Sequence, residues 1–347
     1  MSETPDSWRG FFATLVGTAV GVSAVIWLFV VLVNPFGTLP LSFPFDRWQV
    51  DGNARYAFPA FARSGRFDSA NFGTSTSRLL RPEVLDAAFG ARFVNLAMNS
   101  ASAFEQTALM DVFMRAHPAP KVVTVGIDVG WCVTAGGLVK FSLWRFPEWL
   151  YREGRWRDYR YLFDLYSVEK AGQAFAEFTG LKPEVYGRDG YTSFVPEESA
   201  YDAARALGHI HEMGVQVPPG ERTGDPAGWN FVALAMLKER LEALPAETRK
   251  ILYFVPYNHV LIAPPGSAAA EVWGECRRRV AAMAEAIPNT VAVDFMIPGA
   301  ITDDDTKYWD ALHYRQPVAD RIARDLAAAS RGEAGGDYRL LSAVSDQ

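Results

Sequence analysis

From Phe11 to Val33 the chain runs 23 residues without a charged side chain, and about 20 apolar residues are enough to cross the hydrocarbon layer as a helix. A cleaved signal peptide carries a shorter apolar stretch with a small-residue cleavage site behind it. Here Asn34-Pro35-Phe36-Gly37 follows directly, so the pattern predicts an N-terminal tail over 1–10 and an uncleaved transmembrane signal anchor over 11–33. Arg9 before the span and Arg47 after it balance one against one, which leaves the orientation open.

Beyond a connector over 34–64, Pro-rich as far as Pro44, apolar runs rich in β-branched residues alternate with helical patterns. The expected strands are 67–73, 92–98, 121–128, 250–256 and 290–296. The expected helices are 81–89, 103–115, 231–244, 269–286 and 317–329, the last opening on Pro317, a residue favoured in a first helical turn. This alternation predicts an α/β domain over 65–330, doubly wound about a mostly parallel, flavodoxin-like sheet. From about 131 to 230 the periodicity breaks into an aromatic, charge-rich stretch and then a Gly/Pro-rich segment, 216–228. That region reads as an insertion or lid, its aromatic part either a solvated helix face or a membrane-surface element. Behind the Ala-rich last helix, 331–347 is expected to form a flexible tail.

Composition narrows the function. At 347 residues, 49% hydrophobic and 21% charged, the chain can bury a large core. A net charge of -6 and a pI near 5.5 provide no basic excess to collect phosphates, so nucleic acid is not an expected partner. Two cysteines, Cys132 and Cys276, exclude a disulfide-dense scaffold and a four-cysteine metal site; one disulfide and two separate buried thiols both remain open. There is neither a Walker-type phosphate loop nor a G-x-G-x-x-G after a strand, so no cofactor is expected.

Two segments carry chemistry. Asn71-Phe72-Gly73-Thr74-Ser75-Thr76-Ser77-Arg78 falls where the first strand ends and a helix begins, and ligands bind outside the carboxyl ends of strands in open α/β sheets. Gly73 permits a tight turn that presents Ser75, although Ser and Thr before a helix are also ordinary caps. Near the other end, Tyr308-Trp309-Asp310-Ala311-Leu312-His313-Tyr314 precedes the last helix. Asp310 and His313, three residues apart, are spaced to be neighbours in one turn. Asp310 would orient the imidazole and His313 would take the proton of Ser75, the division of labour in serine hydrolases of any fold.

Gly73-Thr74-Ser75 resembles the Gly-x-Ser block of SGNH (GDSL-like) hydrolases, and Asp310-Ala311-Leu312-His313 resembles their Asp-x-x-His block, across roughly 65–330. The apolar span, Asn34-Pro35-Phe36-Gly37 behind it and Gly126-Ile127-Asp128 at the end of the third strand resemble membrane-anchored SGNH-like proteins allied to polysaccharide O-acetyltransferases and to the D-alanylation accessory protein. The resemblance implies Ser75 as nucleophile, His313 as base and then acid, Asp310 as its orienting partner, and the Ser75 N–H as first oxyanion donor. It implies a single-pass protein of the bacterial inner membrane with its C-terminal domain in the periplasm. The expected partners are a polysaccharide or acyl-ester substrate and a multi-span membrane acyltransferase. The Gly and Asn blocks that complete the oxyanion hole are unmatched: Asn99-Ser100-Ala101-Ser102 follows the second strand and Asp128 stands near the expected Asn. Losing one such donor costs roughly 10²- to 10³-fold in turnover. Asn99 and Ser102 are candidate substitutes, each with a helix-capping alternative, and Asp128 has a structural alternative as a cap.

Other residues read two ways. His209 and His211 alternate as on a strand or loop, but with His259 they lack any zinc-binding spacing, and no metal is expected. Tyr257-Asn258-His259 after the fourth strand is either a substrate contact or a strand-end turn. Arg78 either binds an anionic substrate group or is a solvated residue of a first helical turn. Three functions follow: a serine esterase or O-acetyltransferase; a weak or inactive SGNH-like glycan-binding or accessory protein; and a tethered binding domain in which Thr74–Ser77 hold an anion.

Overall fold

The structure, a computed structural model, describes residues 5–37, 39–42, 49–153 and 156–342, with residues 5–7 as backbone alone. Pro44, Arg47, residues 1–4 of the expected tail and 343–347 lie outside the described residues. In chain order the elements are α1 (Pro5–Val33), α2 (Ala54–Ala62), β1 (Ser69–Phe72), α3 (Ser75–Arg78), α4 (Pro82–Phe89), β2 (Phe93–Asn95), α5 (Ala103–Ala116), β3 (Val122–Ile127), α6 (Leu165–Phe178), α7 (Ala203–His211), α8 (Val232–Ala243), β4 (Arg249–Phe254), α9 (Ala268–Ala286), β5 (Thr290–Asp294), α10 (Gln316–Ala329) and β6 (Arg339–Leu340). The chain forms two compact units: Met1–Gly52 with Glu148–Tyr186, and Asn53–Pro147 with Gly187–Gln347.

In the first unit, Trp8–Val33 of α1 contains an 18-residue stretch of mean hydropathy 2.5 and is long and apolar enough to cross a membrane, the one such helix among the described residues. Helix α6 packs along α1, with the Phe29 and Phe175 rings edge to face at 5.8 Å. Asp164 caps α6 by accepting the Ser167 N–H at 2.6 Å. The segment expected as one insertion, 131–230, is therefore divided: its middle clusters with α1, while its two flanks, including α7, belong to the second unit.

The second unit is built on a six-stranded sheet in the order β2-β1-β3-β4-β5-β6. The first five strands are parallel and β6 is antiparallel to β5. The winding reverses between β1 and β3, so right-handed crossovers carry α4 to one face and α5, α8 and α9 to the other. The packing agrees: α4 lies against α10, and α5 against α8. The central strands β1 and β3 are buried along their whole length, as expected of a parallel sheet covered on both faces.

Two segments differ from expectation. Helix α2 lies inside the expected connector, where Pro59 and a run of only nine residues obscure any helical period. It is stabilised by Asn53, which accepts the Arg55 N–H, and by packing on α5, where Arg55 meets Glu105 at 2.8 Å with both side chains buried. Of the expected flexible tail, the described part, 331–342, instead returns to the sheet as β6. The Leu341 N–H donates to Ala292, and the Tyr338 ring is buried against Phe295 at 5.4 Å, so apolar burial offsets the cost of ordering it.

Candidate active site

Strand β1 ends at Phe72 and the chain turns sharply at Gly73, whose φ of +150° and close approach to Ser77 exclude a side chain: an added Cβ would lie 2.2 Å from the Ser77 hydroxyl oxygen. Ser75 opens α3 and is half-buried. The turn is held from beneath by buried amides of adjacent strands. Asn71 Nδ2 donates to the Ser77 carbonyl at 2.9 Å, and Asn95 Nδ2 to those of Arg78 and Leu80 at 3.1 and 2.8 Å. These bonds add side-chain donors to carbonyls at the end of a four-residue helix, where the Ser77 oxygen also accepts the Leu80 N–H at 3.2 Å.

The second segment reaches Ser75 by running back from β5 across the end of β4. The Tyr308 hydroxyl donates to the Pro256 carbonyl at 3.1 Å, and the Asn258 N–H to that of Ala311 at 3.0 Å. Tyr308 and Tyr314 then form an isolated antiparallel bridge that closes 308–314 into a tight loop. The buried Tyr314 hydroxyl donates to the Thr76 carbonyl at 2.6 Å, joining this loop directly to the Ser75 turn.

Within that frame, the Ser75 hydroxyl donates to His313 Nε2 at 2.8 Å, and His313 Nδ1 donates to Asp310 Oδ2 at 2.7 Å. Asp310 Oδ1 also accepts the N–H groups of Leu312 and His313 at 2.8 and 2.9 Å. Burial raises the Asp310 carboxyl, but the hydrogen bond and charge of His313 with those two N–H groups outweigh it, leaving the group below its ordinary value. An ionised Asp310 holds the proton on Nδ1 and presents a basic Nε2 to Ser75. The Phe194 ring packs edge-on against the imidazole at 5.2 Å and restrains its tilt.

The other candidates are placed as follows. Asn99 is committed elsewhere, its side-chain oxygen accepting from Arg78 Nη1 at 3.2 Å. Ser102 caps α5 in a reciprocal capping box with Glu105 and donates to the Lys140 carbonyl at 2.7 Å. Asp128 is buried and accepts from the Thr74 hydroxyl at 2.5 Å and the Gly130 N–H at 2.9 Å, bracing the residue before Ser75. Arg78 is buried, not solvated, with its guanidinium 5.6 Å from the Phe194 ring centroid. His209 and His211 lie on α7, not on a strand; a two-residue helical offset turns them to different faces. His259 meets Asp305 at 3.2 Å, while Asn258 caps its own turn and donates to Asp305 at 2.8 Å. Cys132 and Cys276 form a disulfide that ties the loop after β3 to α9.

Asn71, Asn95, Tyr314, Phe194 and Thr74 take supporting roles that no motif in the sequence marks. A fully buried amide on each of two neighbouring strands is the feature that carries the first two, and an Asn within a strand pattern is its trace in the sequence. Phe194 comes from a loop with no periodic pattern and had none.

Burial pushes the Asp128 carboxyl up from 3.8 to about 6, against the opposing bonds from Thr74 and Gly130. Between those pH values the native state binds more protons than the unfolded chain, so this group's stabilising contribution is full below 3.8 and is lost as pH rises through about 6. The difference amounts to about 3 kcal/mol at neutral pH. Asp128→Asn retains both contacts, its carbonyl accepting from Gly130 and its amide donating to Thr74. The variant is expected to unfold at a higher temperature than the native protein near neutral pH, with the gap closing towards pH 4; a gap independent of pH would show that ionisation of Asp128 is not its cause.

No protein-family model and no curated protein matches the chain.

Proposed function

We propose that the protein is a membrane-anchored serine acyl-ester enzyme of the SGNH-like, flavodoxin-like class, acting on a cell-envelope or exported polysaccharide from the periplasmic side of the bacterial inner membrane. The observation that carries this reading is the continuous chain Asp310–His313–Ser75, with links of 2.7 and 2.8 Å, outside the carboxyl ends of a parallel sheet. The parallel strand order 2-1-3-4-5, with its reversal beside β1, supports the flavodoxin-like assignment. The disulfide supports an oxidising compartment, and α1 supports attachment to the membrane.

In the proposed reaction, Ser75 Oγ bonds to the ester carbonyl carbon as its proton passes to His313 Nε2. The expected donor to the resulting oxyanion is the Ser75 N–H. Collapse breaks the bond to the alcohol oxygen, which takes the proton from His313 and departs, leaving the acyl group on Ser75. Water yields hydrolysis in the second half, and a glycan hydroxyl yields transfer; each delivers its proton to His313, and Ser75 regains it.

A second reading, a catalytically weak accessory protein for a membrane acyltransferase, is favoured by Asn99 being turned to Arg78 and by an acid at 128. Intact-mass spectrometry after exposure to p-nitrophenyl acetate separates the two. We expect one acetyl increment, or sustained turnover, in the native protein and neither in Ser75→Ala or His313→Ala; equal labelling of all three would move the accessory reading to first place.

A further inference from the structure

Two cavities reach the reacting pair from its two ends. One, of about 440 Å³, has Ser75 with Thr74 and Thr76 in its wall and continues along Val129, Val133 and Leu138. The other, of about 520 Å³, has His313 and Asp310 in its wall, with Trp309 and the polar side chains of Asp202, Arg205 and His209. Both belong wholly to the second unit.

Proton transfer assigns an end to each half of an ester. His313 must hand its proton to the departing alcohol oxygen, so the alcohol lies at the His313 end, and the acyl substituent is left at the Ser75 end. The Ser75 end is apolar. Val133 is buried, Val129 and Leu138 are half-buried, and Val139, Leu143 and Trp144 form an apolar rim with at least half of each residue exposed. An apolar rim of this kind is one of the settings in which a groove takes an apolar ligand. At about 30 Å³ for each water-sized atom, the cavity has room for on the order of a dozen heavy atoms, far more than an acetyl group.

We infer that the substrate is an ester of a medium-length, aliphatic acyl chain, roughly four to eight carbons, with a polar alcohol. The chain lies in the apolar cavity and the alcohol in the cavity of Asp202, Arg205 and His209. This rests on the serine acyl-transfer reading and deepens it by naming the acyl class.

The test is kcat/KM of the full-length, detergent-solubilised protein for p-nitrophenyl acetate, butyrate, hexanoate and octanoate, in the native protein, Leu138→Trp and Leu138→Ala. Native kcat/KM is expected to rise by about four-fold per methylene as far as the chamber fills, the value of one buried CH₂. Leu138→Trp occupies the chamber and flattens that rise, read as the ratio of hexanoate to acetate kcat/KM within each protein; Leu138→Ala widens it and carries the optimum to a longer chain. Native turnover that is highest on acetate, or an unchanged profile in both variants, overturns the acyl-chain inference and leaves serine catalysis standing. No Ser75-dependent turnover or labelling with any ester overturns both.

Discussion

Asp310→Asn is expected to lower turnover of an activated ester by about 10⁴-fold while costing less than about 1 kcal/mol of stability. The two effects separate because the two carboxylate oxygens have separate tasks. Oδ1 accepts the Leu312 and His313 N–H groups, which an amide oxygen accepts equally well, so the 308–314 loop keeps its shape. Oδ2 accepts from His313 Nδ1; an amide nitrogen there donates instead, displacing the imidazole proton to Nε2 and leaving Ser75 without a base. Asp310→Ala loses both functions and is expected to lose both activity and stability. Comparing steady-state rates and thermal unfolding of the two variants checks the distinction. Native-like turnover in Asp310→Asn would mean that Asp310 serves the loop alone.

The second large effect concerns Cys132 and Cys276. Their bond closes a loop across 144 residues of sequence, including the whole of α6 and α7, and both cysteines are fully buried. Chain entropy alone gives about 5 kcal/mol for a loop of this length, and measured values for native disulfides run at about 2–5 kcal/mol. The paired variant Cys132→Ala/Cys276→Ala is expected to unfold on the order of 10 °C below the native protein. The native protein under a thiol reductant should approach the variant's midpoint. Alkylation as the cells are lysed into denaturant extends the test to topology: thiols that react only after reduction place the second unit in an oxidising compartment, whereas reaction without reductant argues for the cytoplasmic side. A variant as stable as the native protein would mean that the denatured chain is compact enough to lose little freedom on cross-linking.

Much of the architecture was legible because it rests on local chemistry. The strands β3 and β5 are runs rich in apolar, β-branched residues, which suits a doubly covered parallel sheet. Helix α10 is anticipated by Pro317 and the start of α5 by the helix-capping alternative at Ser102, since each signal depends on residues within one turn. Helix α2 was hidden because its stability lies in the Arg55–Glu105 contact across 50 positions, against its interior proline. Strand β6 was hidden because two residues carry no pattern until β5 offers an edge.

The sequence by itself determined the apolar span, the strand and helix alternation of the second unit, and the two polar segments at expected carboxyl edges. It did so because hydrophobic period, caps and turn residues act within a few positions of themselves. Only the tertiary structure decided that Ser75 and His313, 238 positions apart, meet at 2.8 Å, since that contact depends on the return of 295–315 across β4 and its anchoring by Tyr308 and Tyr314. It likewise decided that the two cysteines pair, that Arg78 is buried beneath Phe194, and that an apolar chamber and one of mixed lining, with Asp202, Arg205 and His209 beside Phe194 and Trp309, flank the reacting atoms. Each of these joins side chains from distant segments, whose mutual positions follow from how the strands stack and not from any local pattern.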